Sequence, residues 1–371
     1  MTGLSPSFWK GKSVFVTGHT GFKGGWLATW LIEMDADVCG YALAPVHPRS
    51  YFVLCDLERK MKSVIGDIRD ASALTRSIQS ARPELVIHLA AQPLVRRSYI
   101  EPLATFETNV MGTANLLEAL RQTPSVRAAV IVTSDKCYYP SQIPTGYQER
   151  DHLGGLDPYS SSKASAELVV AAYTHSYFDR STNPIAVATA RAGNVIGGGD
   201  WAENRIVPDT IRALVNDEPL AIRNPASIRP WQHVLEPLAG YLTLARHLLE
   251  DGLKWAGAWN FGPASAAEVT VATLADLLIA RWGTGSWCYR EDRDLFPETH
   301  FLRLNSMKAM RELGWAPRLT IEDAISLTVD WYRRALLLDS DDMYAFSAEQ
   351  IRRYYEPLAT PVSLDFSKGT G

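Results

Sequence analysis

Short apolar runs alternate along the chain with longer stretches in which apolar residues recur every three or four positions, the signature of strands alternating with packed helices. Val14, Phe15 and Val16 make the first run, and Leu27, Trp30, Leu31 and Met34 follow at i, i+3, i+4 and i+7. Further strands are expected over 37–43, ended by a loop carrying Pro45 and Pro48, and over 63–70, where the strand runs into a helix. Leu85 to Gln92 begins almost unbroken in its apolar character and ends in small residues, as a parallel strand covered on both faces requires. Phe106, Val110, Thr113, Leu117 and Leu120 mark one face of a helix within 102–122, a fifth strand covers 127–131 and a sixth 184–189. The rhythm then breaks into loop chemistry over 191–201. Helices are expected over 238–249, 271–282, 304–313 and 321–331, with a strand and turn over 258–262, whereas 338–371 is polar and turn-rich. This order predicts an α/β fold, a doubly wound parallel sheet with a smaller mixed α/β domain. The first is assigned residues 1–190 with 233–262, and the second 191–232 and 263–371.

Composition narrows the partners. The 371 residues are 46% apolar and 21% charged, with a net charge of -4 and no basic stripe, so neither nucleic acid nor an anionic membrane is an expected partner. No apolar run is long enough to span a bilayer. Cys39, Cys55, Cys137 and Cys288 show no Cys-x-x-Cys spacing, and the first residues lack a signal peptide's apolar core, so a reducing cytoplasm is expected. The expected ligand is small.

The first strand ends in Thr17-Gly18-His19-Thr20-Gly21-Phe22-Lys23-Gly24, and a helix begins at once. Glycines at 18, 21 and 24 suit a tight turn whose N–H groups, together with the helix N-terminus, meet a pyrophosphate. The alternative is a turn that needs glycine only for its shape. As a phosphate turn it makes the sheet Rossmann-type, and Leu89, Ala90 and Ala91, ending the fourth strand, let a cofactor's backbone come close. The second strand ends Gly40-Tyr41-Ala42-Leu43, without the acid that usually meets an adenosine ribose and without a directly following arginine, so NAD and NADP both stay open. His88 has no partner at metal spacing and reads as a core histidine; no metal site is expected. Asp70 reads as a helix N-cap, and Asp67 is open between local turn geometry and cofactor contact.

Asp157-Pro158-Tyr159-Ser160-Ser161-Ser162-Lys163 opens a further helix, with Tyr159 and Lys163 at i, i+4 on one face. An ammonium beside a phenol favours phenolate, which suits a general base near neutral pH; the alternative is a surface pair. The glycine turn, the Thr133-Ser134-Asp135 strand end and the Tyr-x-x-x-Lys pair, in this order, resemble the extended short-chain dehydrogenase/reductases. The resemblance implies a tightly bound NAD, Asp67 and Ile68 lying against its adenine, and Asn109 shaping a water path to Lys163. It also implies a catalytic hydroxyl at Thr133, and homodimers that pair the helices of 102–122 and 159–176.

Asp135 and Lys136 are additions to that minimal set. The chain is similar to the sugar-nucleotide 4,6-dehydratases, in which an acid at the 135 position implies protonation of a departing C6 hydroxyl after oxidation at C4. Lys136 stands where the dTDP-glucose branch has Glu; it is open between a C5 base and a substrate-orienting or solvent-facing lysine, with a water as the alternative base. Asn194, in the run Arg191-Ala192-Gly193-Asn194-Val195-Ile196-Gly197-Gly198-Gly199-Asp200-Trp201, and the nearby Arg205, Arg223 and Arg229 suit a diphosphate, since guanidinium groups donate to its oxygens in pairs. Gln92 and Gln232 join them as candidate substrate contacts. The runs at 88–95, 133–138, 191–201 and 229–238 resemble the branch acting on CDP-glucose, which implies that substrate and a place in making deoxysugars of surface polysaccharide. His300-Phe301 departs from the His-Glu expected there. A sugar-nucleotide 4-epimerase shares all but the acid for C6, and a nicotinamide-sensing regulator would share the fold without the chemistry.

Overall fold

The computed structural model describes residues 4–141, 143–179, 184–264, 267–291, 302–337 and 342–355. The strands are β1 (Ser13–Thr17), β2 (Asp37–Ala42), β3 (Lys62–Ile65), β4 (Leu85–His88), β5 (Ala128–Val132), β6 (Ala186–Ala192), β7 (Asn194–Ile196), β8 (Leu220–Ile222), β9 (Ile228–His233), β10 (Gly257–Phe261), β11 (Glu268–Thr270) and β12 (Trp287–Tyr289). Seven of them form one parallel sheet in the order β10-β6-β5-β4-β1-β2-β3, the doubly wound arrangement expected from the sequence. The order reverses between β1 and β4, which opens a crevice at their C-terminal ends.

Alternation along the strands fills a core on each face. Val14, Val16, Val130 and Val132 pack with Trp26, Leu27, Leu238 and Leu242 from the Phe22–Glu33 and Leu235–Asp251 helices. Phe15, Val86, Ala129 and Ile131 pack with Leu74, Leu116, Leu120 and Val170 from the helices on the other face. Two small sheets, β11-β9-β7 and β12-β8, lie outside the main one. The Gly197–Gly199 segment is tied back to the nucleotide side: Trp26 Nε1 donates to Gly198 O at 2.9 Å, and Tyr51 stacks on Trp331 at 5.8 Å.

Several elements differ from the sequence expectation: the strand expected over 63–70 ends at Ile65, the loop over 191–201 holds β7, and β8, β9, β11 and β12 were not expected. The fourth strand stops at His88, and Leu89 to Gln92 continue outside the strand. Within 338–371, Met343–Tyr355 is a helix, whose buried Met343, Ser347, Ala348, Ile351 and Tyr354 form one face; Tyr354 meets Trp30 edge-on at 5.6 Å. Ser347 and Tyr354 dilute that stripe, so it lacks the apolar contrast of the other helices. Among the described residues no helix is long and apolar enough to cross a membrane.

Candidate active site

The glycine turn is shaped by backbone contact. Gly18 has φ +78°, and a Cβ on it would lie 2.7 Å from Ala90 N; on Gly24 a Cβ would lie 2.1 Å from Gly18 O. Gly21 is different, since a Cβ there meets only Gly18 O at 3.3 Å. Gly21 is the N-cap of the Phe22–Glu33 helix and makes no side-chain cap, which leaves the helix's first N–H groups for an anion. These residues fit a dinucleotide pyrophosphate. Ala90 N donates to Thr17 Oγ1 at 3.2 Å, which fixes Leu89, Ala90 and Ala91 beside the turn.

Other loop side chains are occupied. His19 is buried, its ring against Gly40 and its Nε2 2.7 Å from Ser63 Oγ; burial holds it down to about 4, hence neutral. Thr20 Oγ1 donates to Leu43 O at 2.8 Å, and Phe22 packs beside Gly197. Asp67 is paired with Arg69 at 2.6 Å, Ile68 is buried under Gly112, and Asp70 caps the Ala71–Ala81 helix. His88 is a core residue, with Nδ1 2.7 Å from Thr17 Oγ1 and Nε2 3.3 Å from Thr113 Oγ1.

The Pro158–Tyr173 helix is positioned from its first turn. Asp157 accepts from Ser160 N at 2.9 Å, and Ser98 Oγ accepts from Tyr159 N at 3.2 Å. Tyr159 and Lys163 are both buried, and Lys163 Nζ donates to Val132 O at 3.4 Å. Burial draws Lys163 down to about 8, opposed by the negative charge of Glu167. The Tyr159 hydroxyl is pushed by burial up to about 12, against the direction expected from Lys163; its hydrogen bond to Ser134 and the charge of Arg205 pull the other way.

β5 ends in a short turn, Asp135–Cys137, capped by Ser134. The chain has therefore left the strand, and Asp135 and Lys136 are free of the alternation that would send them to opposite faces. Asp135 is buried, and burial raises its pKa against the opposing charges of Lys136 and Lys23 and the Ser134 hydrogen bond. Gly193 leaves room for it, since a Cβ there would lie 3.0 Å from Asp135 Oδ2. Lys23 belongs to the same cluster: burial, Arg205 and Lys163 draw it down to about 8, while Asp135 and Asp200 oppose.

Three expected site side chains have partners within the protein. Thr133 Oγ1 donates to Glu167 Oε1 at 2.5 Å and so turns from Tyr159; Ser134, one residue on, is the hydroxyl that meets both Tyr159 and Asp135, the latter at 2.8 Å. Gln232 is buried and donates to Phe261 O at 2.9 Å, while its buried Oε1 has no partner among the described residues. Gln92 spends its amide on Leu94 and Thr105 and so shapes its own loop. Asn109 braces that loop from below, bonding Gln92 N at 2.8 Å, Gln92 O at 3.1 Å and Ser162 Oγ at 2.9 Å.

The arginines separate. Arg205 pairs with Asp200 at 2.8 Å and lies close enough to Tyr159 and Lys23 to affect their charge. Arg223 reaches Asn204 at 3.1 Å, and Arg229 donates to Ile228 O at 3.0 Å on β9. Asn194 is half-buried at the start of β7. His300 and Phe301 lie outside the described residues. The sequence reading missed Ser134, Glu167 and Arg191; Glu167 carried a signal, standing at i+4 from Lys163 on the same helical face.

The GDP-mannose 4,6 dehydratase family matches residues 15–328. The chain belongs to this family. It is 47% identical over 357 residues to the CDP-glucose 4,6-dehydratase of Salmonella typhimurium, covering 95% of this chain and 98% of that one. The dTDP-glucose 4,6-dehydratase of Xanthomonas campestris is 28% identical over 335 residues, 85% of this chain and 92% of its own. Among solved structures, a dTDP-glucose 4,6-dehydratase from Streptomyces venezuelae with NAD bound superimposes with a TM-score of 0.72 at 26% identity, over 86% of this chain and 97% of that one.

Proposed function

We propose that this chain is an NAD-dependent hydro-lyase converting CDP-D-glucose to CDP-4-keto-6-deoxy-D-glucose. The observation that carries the reading is a buried carboxyl, Asp135, whose pKa is raised by burial, bonded through Ser134 to the Tyr159 that begins the Tyr-x-x-x-Lys helix. An alcohol oxidation alone needs no such acid. The 47% identity to a CDP-glucose 4,6-dehydratase supports the nucleotide.

Gly18, Gly21, Gly24, Leu89, Ala90 and Ala91 would hold the dinucleotide, with Asp67 and Ile68 at its adenine end. NAD, when bound, accepts the C4 hydrogen with its electron pair and gives it back at C6. Tyr159 takes the O4 proton, with Ser134 orienting that hydroxyl and Lys163 supplying positive charge. The resulting C4 ketone acidifies C5; Lys136 takes the C5 proton, and Asp135 protonates the departing C6 hydroxyl so that it leaves as water. Lys136 then returns a proton to C5. The cycle leaves Tyr159 protonated and Asp135 ionised, and Ser134, bonded to both, carries the proton that resets them. Arg205, Arg223, Arg229 and Asn194 are assigned to the sugar nucleotide.

In this reading the described residues of 191–232 and 263–337 are assigned to the substrate side; the Met343–Tyr355 helix, expected there too, packs on the nucleotide side through Tyr354 and Trp30, and 233–262 stay with the nucleotide side because β10 pairs with β6 in the main sheet. Ile100, Leu103, Met111 and Leu168, exposed on or beside the helices of 102–122 and 159–176, support a homodimer through that face. The setting is the cytoplasm and the product class a deoxysugar for surface polysaccharide. The test denatures the purified protein, identifies the released dinucleotide, and compares CDP-, dTDP- and GDP-glucose for keto-sugar formation. Released NAD and fastest turnover of CDP-glucose are expected; faster turnover of dTDP-glucose overturns the substrate assignment.

A further inference from the structure

Glu167 and Arg191 form an ion pair with only 4% and 3% of their side chains exposed. Burying both charges is costly enough that such a pair is weak evidence for stability alone. Its bonds reach both sides of the Asp135–Cys137 turn, and Thr189 and the Glu149 carbonyl as well. Glu167 Oε1 accepts from Thr133 Oγ1 at 2.5 Å and Arg191 Nε at 2.9 Å, and Oε2 accepts from Thr189 Oγ1 and Arg191 Nη2, both at 2.8 Å. Arg191 Nη1 donates to the Tyr138 hydroxyl at 2.6 Å and to Glu149 O at 3.0 Å, and Tyr138 donates to Asn260 Oδ1 at 2.8 Å.

Thr133 is the residue before Ser134, and Tyr138 is the residue after Cys137. The turn that presents Ser134, Asp135 and Lys136 is thus tethered at both ends to a single ion pair, and Glu167 sits on the helix of Tyr159 and Lys163, one turn beyond the lysine. A single turn of this kind has few hydrogen bonds of its own to hold it. Elimination needs Asp135 and Lys136 aligned across C5 and C6 while Tyr159 addresses O4, and a displacement of about 1 Å can lower such a rate by roughly a hundredfold.

We propose that Glu167 and Arg191, acting through Thr133 and Tyr138, are positioning residues that hold the Ser134–Lys136 turn in register with Tyr159 and Lys163 for the elimination step. The inference rests on the dehydratase reading. Neither residue touches the reacting atoms. Glu167 has a second effect: of the groups facing Lys163, namely Glu167 on its helix, Cys137 on the turn, His88 on β4 and Lys23 on the Phe22–Glu33 helix, it is the one that most opposes the lysine's loss of its proton.

The test uses Thr133→Val and Tyr138→Phe, which remove one tether each and leave the ion pair in place, alongside Glu167→Gln. Each hydroxyl variant is expected to lose roughly tenfold in kcat with KM for CDP-glucose unchanged. Because oxidation continues while elimination slows, the near-ultraviolet absorbance of reduced nicotinamide builds up during turnover. Glu167→Gln moves the basic limb of the pH profile to lower pH. Variants that melt lower yet keep wild-type kcat, with no build-up of reduced nicotinamide, overturn the proposal; if Glu167→Gln does not fold, the two hydroxyl variants decide. Wild-type protein that forms no keto-sugar defeats the dehydratase reading instead, and so the two failures are told apart.

Discussion

At the glycine turn backbone meets backbone: a Cβ on Gly24 would lie 2.1 Å from Gly18 O. Between Asn194 and Gln232 the groups that matter are long side chains, each with its own partner: Arg205 with Asp200, Arg212 with Asp209, Arg223 with Asn204. The first region has one geometry or none, because a backbone contact below van der Waals distance cannot be relieved by rotating a side chain. The second can lose one member and keep its shape. Substitutions should therefore act as a switch at the turn and by degrees in the lobe.

The largest effect is expected at the turn. Gly24→Ala should leave protein that releases no dinucleotide on denaturation, where wild type releases NAD; a variant that still carries NAD would break the contrast. Next comes Lys163→Met, expected to lower kcat by at least about a hundredfold. Lys163 has a folded pKa of about 8 against an ordinary 10.5, so its buried ammonium opposes folding below pH 8, and that opposition fades as pH rises from 8 toward 10.5. The variant should accordingly melt no lower than wild type at pH 7, with the gap narrowing at higher pH, while wild-type activity falls as Lys163 loses its proton near pH 8. Thermal melts and a pH–rate profile check both.

Smaller effects separate the arginines. Arg205→Ala removes a guanidinium near Tyr159 and leaves Asp200 unpaired, so KM for the sugar nucleotide should rise roughly tenfold or more. Arg223→Ala, at the surface end of the lobe, should change KM about threefold at most. Equal effects would remove the gradation that the side-chain partners imply.

The same contrast explains what could be read in the sequence. Glycines 18, 21 and 24, the apolar strands and the Tyr159–Lys163 spacing announce themselves because each is a local rule linking residue type to backbone shape. Ser134 was passed over for Thr133 because the choice depends on which hydroxyl Glu167 captures, a contact 34 residues away. Gln232 and Gln92 looked like ligand contacts because each stands in a run that resembles the CDP-glucose branch, yet Gln92 spends its amide inside the protein and Gln232 donates to Phe261 O with its Oε1 left over. The raised pKa of Asp135 was hidden for a related reason: the charge of adjacent Lys136 pulls it down, and burial, which no neighbour in sequence reports, outweighs that pull.

The central claim is that a buried acid has been added to an alcohol-oxidising helix, and product analysis of Asp135→Asn tests it most directly. With CDP-glucose and NAD present, the account predicts that the variant still reduces its nicotinamide while formation of the dehydrated keto-sugar falls by roughly a hundredfold or more. Dehydration at the wild-type rate would contradict it.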